Sequence, residues 1–189
     1  TIVVTPPTGS PRTYRITFVI TESSYSYLND IKVGGVSLPD FNAENTQYDV
    51  KLPLGTTTLP AITWTQGDPY QTVSVTDEGV NGTARITVNS QKGNSTIYRI
   101  NFSVEKSTVT TLKNIFVNGA PLQGFTPDTY DYTYNVTGAV STRPVVTWEA
   151  ADAYQIVTKN PTSESTVSLE GVTKLTVRAQ NGNSSVYSI

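Results

Sequence analysis

The chain of 189 residues contains no histidine, no cysteine and no methionine. Without histidine it has no side chain whose ordinary pKa lies near neutrality to act as a general base, and without cysteine it has no thiolate nucleophile. The same absence excludes disulfide staples and cysteine zinc sites. A basic excess is missing too: 13 Lys and Arg face 15 Asp and Glu, a net charge of -2 with the signs scattered. No positive face is available to capture a phosphate backbone, so nucleic acid is not an expected partner. No apolar run approaches the roughly 18 residues that span a bilayer, and no charged-then-apolar signal segment opens the chain. Membrane insertion by these residues is therefore not expected.

What is present is Thr, Ser, Val and Tyr in abundance, with few of the strong helix formers. That bias suits pleated, half-buried surfaces and predicts an all-β protein. A hydrophobic share of 37% is low but sufficient, because a two-sheet sandwich buries only alternate residues of each strand. Cysteine-free, Thr-rich β modules fit the outside of bacterial cells, so the expected location is extracellular, secreted or at the cell surface.

The architecture follows from an internal repeat. Leu28, Ile31, Val33 and Gly35 recur as Leu112, Ile115, Val117 and Gly119 at an offset of 84 residues, which also carries Phe41 to Phe125, Tyr48 to Tyr132, Pro60 to Pro144 and Trp64 to Trp148. Beyond Gln71 and Gln155 the second copy gains five residues, since Gly93-Asn94-Ser95 matches Gly182-Asn183-Ser184 at an offset of 89. The insertion falls within Lys159 to Gly171, a loop by composition, where added length costs little. Residues 9–18 match 93–102 at 84 again, so the first 20 or so residues correspond to the last two strands of a preceding repeat.

Period-2 alternation marks about seven short strands per copy, through Ile31 and Val33, Tyr48 to Leu52, Ile62 and Trp64, Val73 and Val75, Ile86 and Val88, and Tyr98 to Phe102. Gly34-Gly35, Gly67-Asp68-Pro69 and Asn81-Gly82 punctuate them, and Glu105 to Thr108 reads as a short polar connector. The pattern Leu28-x-x-Ile31-x-Val33-x-Gly35, with Phe41, Tyr48 and the closing Gly93 to Phe102, resembles the bacterial cadherin-like β-sandwich repeats. The resemblance covers both copies and the N-terminal remnant. It implies immunoglobulin-like sandwiches in large surface or secreted proteins, in adhesive stalks or beside carbohydrate-active modules. The acidic calcium-binding linkers of true cadherins have no counterpart around Glu105, and no metal or cofactor is expected.

The expected organisation is a C-terminal hairpin of a preceding repeat at 1–22, followed by immunoglobulin-like sandwiches at 23–106 and 107–189. The chain reads as part of something longer. The hairpin cannot bury Ile2, Val4, Tyr14, Ile16 and Phe18 by itself, because two strands are marginal in water. It needs further sequence, another chain or the next sandwich, so the expected partners are neighbouring repeats of the same or an identical chain.

Chemistry is sparse. Asp40, Asp49, Asp77 and Glu78 align with Gly124, Thr133, Pro161 and Thr162, so the copies share no acidic pair, and no enzyme is expected. The best functional constellation is Trp64, Asp68, Tyr70 and Gln71, repeated as Trp148, Asp152, Tyr154 and Gln155. An aromatic platform flanked by a carboxylate and an amide could bind a sugar, which makes polysaccharide a candidate partner. The competing reading is core plus turn. Trp64 shares parity with Ile62 and Trp148 with Val146, and Asp68 and Asp152 sit where a carboxylate commonly caps a turn. Tyr25, Tyr27 and Tyr130 break the repeat and are candidate surface contacts. Asn81, Asn94, Asn101, Asn135 and Asn183 head N-x-Ser/Thr sequons, glycosylation acceptors if the source is eukaryotic. An intramolecular Lys to Asn crosslink gains no support, because Lys32 and Lys113 are out of step by one position. The function expected is a non-catalytic structural or adhesive repeat of a stalk or filament; the alternative is a carbohydrate-binding or spacer module of a glycan-processing surface protein.

Overall fold

The structure, a computed structural model, describes residues 1–164 and 168–189; residues 165–167, part of the inserted loop, lie outside the described residues. The described residues are strands, turns and loops with no α-helix. The chain forms two compact units, Thr1–Leu52 with Thr56–Ser103, and Pro53–Gly55 with Val104–Ile189.

In the first unit, strands β3 (Leu28–Val33), β4 (Val36–Ser37) and β6 (Ile62–Gln66) form a three-stranded sheet in the order β4-β3-β6. Strands β5 (Gln47–Leu52), β7 (Thr72–Thr76), β8 (Thr83–Asn89) and β9 (Ser95–Val104) form a second sheet in the order β5-β9-β8-β7. An N-terminal hairpin, β1 (Ile2–Val4) against β2 (Arg12–Tyr14), is a separate two-stranded sheet whose residues are all exposed.

The second unit repeats the plan with β10 (Leu112–Val117), β11 (Ala120–Pro121) and β12 (Val146–Ala150) in one sheet, ordered β11-β10-β12. The other holds β13 (Ile156–Asn160), β14 (Lys174–Arg178) and β15 (Ser184–Ser188). Leu112, Ile115 and Val117 of β10 and Val146 of β12 join Leu175 and Val177 of β14 and Tyr187 of β15 in one buried cluster. Both sheets feed a single core, which makes the unit a sandwich. Each wholly buried Leu or Ile contributes about 1.5–3 kcal/mol through removal from water.

Two local devices recur. Leu28 pairs with Gln66 but Asp30 with Thr65, leaving Asn29 as the extra residue of a bulge; Lys113 is the extra residue at the same place in β10. The bulge resets the alternation, so Leu28 and Ile31, three residues apart, are both fully buried, as are Leu112 and Ile115. The β3-β4 turn has positive φ at Gly34 and Gly35, 59° and 84°, and β10-β11 uses Asn118 and Gly119 at 51° and 81°. Two-residue hairpins whose twist matches the strands demand positive φ at both positions, which explains glycine or asparagine there.

The units part ways at one edge. Strand β5 lies beside β9 in the first, whereas in the second, among the described residues, the corresponding stretch makes a parallel bridge alone, Asp131 with Ser188.

Candidate functional site

The Trp to Gln segment is the turn from β6 to β7, and from β12 to β13 in the second unit. Asp68 Oδ1 accepts the Tyr70 N–H at 2.8 Å, and its Oδ2 accepts the Ser23 hydroxyl at 2.8 Å. Asp152 does the same with the Tyr154 N–H, 2.6 Å, and the Ser107 hydroxyl, 3.0 Å. Gln71 Nε2 donates to the carbonyls of Tyr25 and Tyr27, both at 2.9 Å. Gln155 Nε2 donates to those of Val109 and Thr111, at 2.9 and 2.8 Å.

The serine is held at its backbone as well. Ser23 N donates to Gln91 Oε1 at 3.2 Å, and its carbonyl accepts the Lys92 N–H at 2.9 Å. Ser107 repeats both bonds with Gln180 Oε1, 3.0 Å, and the Asn181 N–H, 3.1 Å. The polar groups of the constellation therefore form a clamp that ties the entering strand to the two turns beside it. The connector around Ser107 is more than a polar spacer: it carries a buried anchor.

The aromatic members are placed differently. Trp64 stands opposite Ile31, and Trp148 opposite Ile115; both indoles are half-buried, with Trp148 packed against the core cluster. Tyr70 and Tyr154 project from the turn tips with 66% and 43% of their surface exposed. Among the described residues neither has an aromatic ring within stacking distance. The arrangement leaves lone exposed rings, while the Asp carboxylates and Gln amide nitrogens that would read sugar hydroxyls already have partners in the fold.

Tyr48, Tyr98, Tyr132 and Tyr187 are structural. Tyr98 Oη accepts the Leu28 N–H at 3.1 Å and donates to the Ala43 carbonyl at 2.7 Å, and Tyr187 Oη repeats this with the Leu112 N–H, 3.0 Å, and the Pro127 carbonyl, 2.5 Å. Burial pushes both phenols above their ordinary pKa, so they stay protonated donors throughout the physiological range. Tyr48 and Tyr132 each hold the N–H and carbonyl of one residue, Asn42 and Thr126. Of the residues that break the repeat, Tyr25 is exposed and meets the half-buried Tyr27 edge to face at 5.6 Å, whereas Tyr130 lies against Tyr187 at 5.0 Å.

All five sequon asparagines are exposed. The Asn94 and Asn101 amides donate within the fold, to the Ser24 carbonyl and to Asp49 Oδ1. Lys32 lies 3.9 Å from Asp30, and Lys113 is ion-paired to Glu149 at 2.6 Å.

Sequence reasoning missed the surroundings of Arg143. This side chain takes the place of Leu59 in the other repeat and is buried, donating from Nε to the Ser168 carbonyl at 3.0 Å, from Nη1 to Val172 at 3.4 Å and from Nη2 to Glu170 at 2.8 Å. Among the described residues no carboxylate lies within ion-pair distance of it. Nearby, Lys159 and Glu164 form a pair at 2.6 Å with side-chain exposures of 15% and 13%, which locks the start of the insertion. Arg143 lines a cavity of about 250 Å³ at the open edge, with Val117, Val136, Val146, Gly171 and Ile189 among its walls. The available signal was a charge at a position that is Leu in the other copy, beside the shared Pro60 and Pro144.

No protein-family model matches the chain, and no solved structure matches it. One stretch of 91 residues, 46% of the chain, is 34% identical to a gellan lyase from a Bacillus species. The matched stretch spans 4% of that protein, so the likeness extends over about the length of a single repeat within a far larger chain.

Proposed function

We propose that this chain is a pair of non-catalytic structural repeats from a larger extracellular protein that acts on or attaches to polysaccharide, where the repeats space and present its other parts. The observation that carries the reading is the duplicated clamp: the same Ser, Asp and Gln side chains make the same bonds in both units. Residues shared between the copies thus serve the sandwich itself, which both repeats need equally. The match to a gellan lyase over roughly one repeat supports the setting, and it concerns too little of that enzyme to carry its activity across. The lack of histidine and cysteine supports a role without catalysis.

The second reading, a carbohydrate-binding module, rests on the exposed rings of Tyr70 and Tyr154. Affinity electrophoresis through gels containing gellan or other acidic polysaccharides separates the two. A spacer migrates unretarded and releases no new reducing ends from the polymer. Retardation that disappears in the Tyr70→Ala/Tyr154→Ala double variant would replace the spacer reading with the binding one.

A further inference from the structure

Strand β7 ends the larger sheet of the first unit, which runs in the order β5-β9-β8-β7. The ladder beside it fixes which of its backbone groups are used. Between β8 and β9 the Ser90 N–H donates to the Asn94 carbonyl and the Phe102 N–H to the Gly82 carbonyl, both at 2.8 Å. Bonded residues alternate along an antiparallel ladder, so Ala84, Ile86 and Val88 turn their backbone groups to β9, and Arg85, Thr87 and Asn89 turn theirs to β7. Those three stand opposite Thr76, Ser74 and Thr72. The N–H and C=O groups of Val73 and Val75 therefore point away from β8, along the outer edge.

That edge lacks the usual guards. Thr72–Thr76 contains no charge and no proline, and its register with β8 runs without a bulge. The second unit supplies the contrast, because Val157 and Lys159 of β13 hold the corresponding positions. The Lys159 side chain turns inward at 15% exposure, to the Val146 carbonyl at 3.4 Å and Glu164 at 2.6 Å, and Pro161, next in the same series, has no N–H to offer. An inward charge and a proline both keep foreign strands from joining an edge.

The unguarded strand is also its own complement. Thr72-Val73-Ser74-Val75-Thr76 reads the same in both directions. Two copies run antiparallel about Ser74 set Val73 opposite Val75, and the outward backbone groups of each such pair exchange both hydrogen bonds. Ser74 then faces Ser74 and Thr72 faces Thr76, hydroxyl to hydroxyl on the exposed side, while the half-buried valines cover one another on the core side.

We propose that β7 is a dimerisation edge, pairing antiparallel with β7 of a second copy of this chain across a two-fold axis at Ser74 and joining the two sheets into one. The surface is the same on both partners, so the contact closes at a dimer. A single short strand falls below the roughly 1,200 Å² of a stable interface, so the dimer forms reversibly as concentration rises. The contact adds to the spacer reading without depending on it.

The cysteine-free chain makes the test direct. In this register Ser74 and its mate are a non-hydrogen-bonded pair with Cα atoms about 4.5 Å apart, within disulfide range. Under mild oxidation Ser74→Cys should crosslink to itself at least about tenfold faster than Thr158→Cys, its counterpart on β13. Thr72→Cys and Thr76→Cys should crosslink to each other in a mixture and neither to itself, since Thr72 lies about 13 Å along the ladder from the Thr72 of the second copy. All four side chains are exposed, so the changes leave the fold intact. Sedimentation velocity of the wild-type chain should show a reversible dimer and nothing larger. Ser74→Lys, which sets like charges opposite one another, should weaken that dimer at least about tenfold. A wild-type chain that stays monomeric, growth beyond a dimer, or dimerisation undiminished in Ser74→Lys would each overturn the proposal. So would Ser74→Cys that crosslinks no faster than Thr158→Cys, or Thr72→Cys that links to itself as readily as to Thr76→Cys.

Discussion

The two repeats carry the same clamp and the same tyrosine anchors but differ along one edge. In the first, β5 completes a four-stranded sheet; in the second, among the described residues, the corresponding stretch makes one bridge, and Arg143, Leu169 and Val172 lie in its neighbourhood. The difference separates what the sandwich requires from what it tolerates. Bonds that hold the entering strand and join the two sheets recur in both copies. The edge strand and the loop before β14 vary, because loop length carries a small entropic cost and an edge can be left open or covered by other means.

The sharpest test of equivalence lies in the core. Leu28→Ala and Leu112→Ala should each lower the stability of the unit that holds the side chain by about 2–5 kcal/mol, the range for truncating a fully buried leucine. Hydrogen exchange in β3 and β6, or in β10 and β12, would report the loss, and clearly unequal effects would break the comparison.

Arg143→Leu restores the residue of the first repeat, yet it should destabilise the second by about 2–3 kcal/mol, since three loop carbonyls lose a charged donor. Chemical denaturation measures this; a neutral or stabilising result would show that leucine packs there as well as arginine bonds.

The clamps differ in one atom. Gln71 Oε1 accepts the Gly67 N–H at 3.3 Å, whereas Gln155 Oε1 is buried without a partner among the described residues. Gln71→Ala should therefore cost about 1 kcal/mol more than Gln155→Ala in paired denaturation curves.

The smallest effect concerns pH. Glu164 is held below the ordinary carboxylate value of 4.5, chiefly by its hydrogen bond from Lys159, and Glu78 is lowered chiefly by its hydrogen bond from Arg85. A depressed folded pKa contributes stability above the unfolded pKa that is lost as pH falls through the folded value. Both contributions should fade in acid below about pH 4.5, the ordinary carboxylate value. Added salt should erase the exposed Glu78 contribution and leave that of the enclosed Glu164. Acid titrations of stability for Glu164→Gln and Glu78→Gln at low and high salt check both statements.

Much of this plan was legible in the residues. The all-β class and the offsets of 84 and 89, which align most strands of the two units, could be read directly, because core and turn residues repeat where the backbone demands them. The bulges at Asn29 and Lys113 were not legible, since alternation has to break there and a break looks like noise in a single strand. At the candidate site, Asp68 was readable as a turn residue, but its partner Ser23 and those of Gln71 lie 44–46 residues away in sequence, and pairings over that distance leave no local mark. Arg143 was marked only by its mismatch with Leu59, and composition alone treats a buried guanidinium and a solvated one alike.

The glutamine of the clamp grips the entering strand only through main-chain groups. Gln71 reads the carbonyls of residues 25 and 27, and Gln155 those of residues 109 and 111. Backbone carbonyls are the same for every amino acid, so the side chains at positions 25, 27, 109 and 111 carry no obligation to the glutamine, unlike the serine hydroxyls at 23 and 107. That accounts for Tyr25-Ser26-Tyr27 in one repeat standing where Val109-Thr110-Thr111 stands in the other. Exposed positions 25 and 109 are therefore sites where new side chains can be written into the repeat, as labels, crosslinkers or recognition tags, while the scaffold beneath keeps its shape.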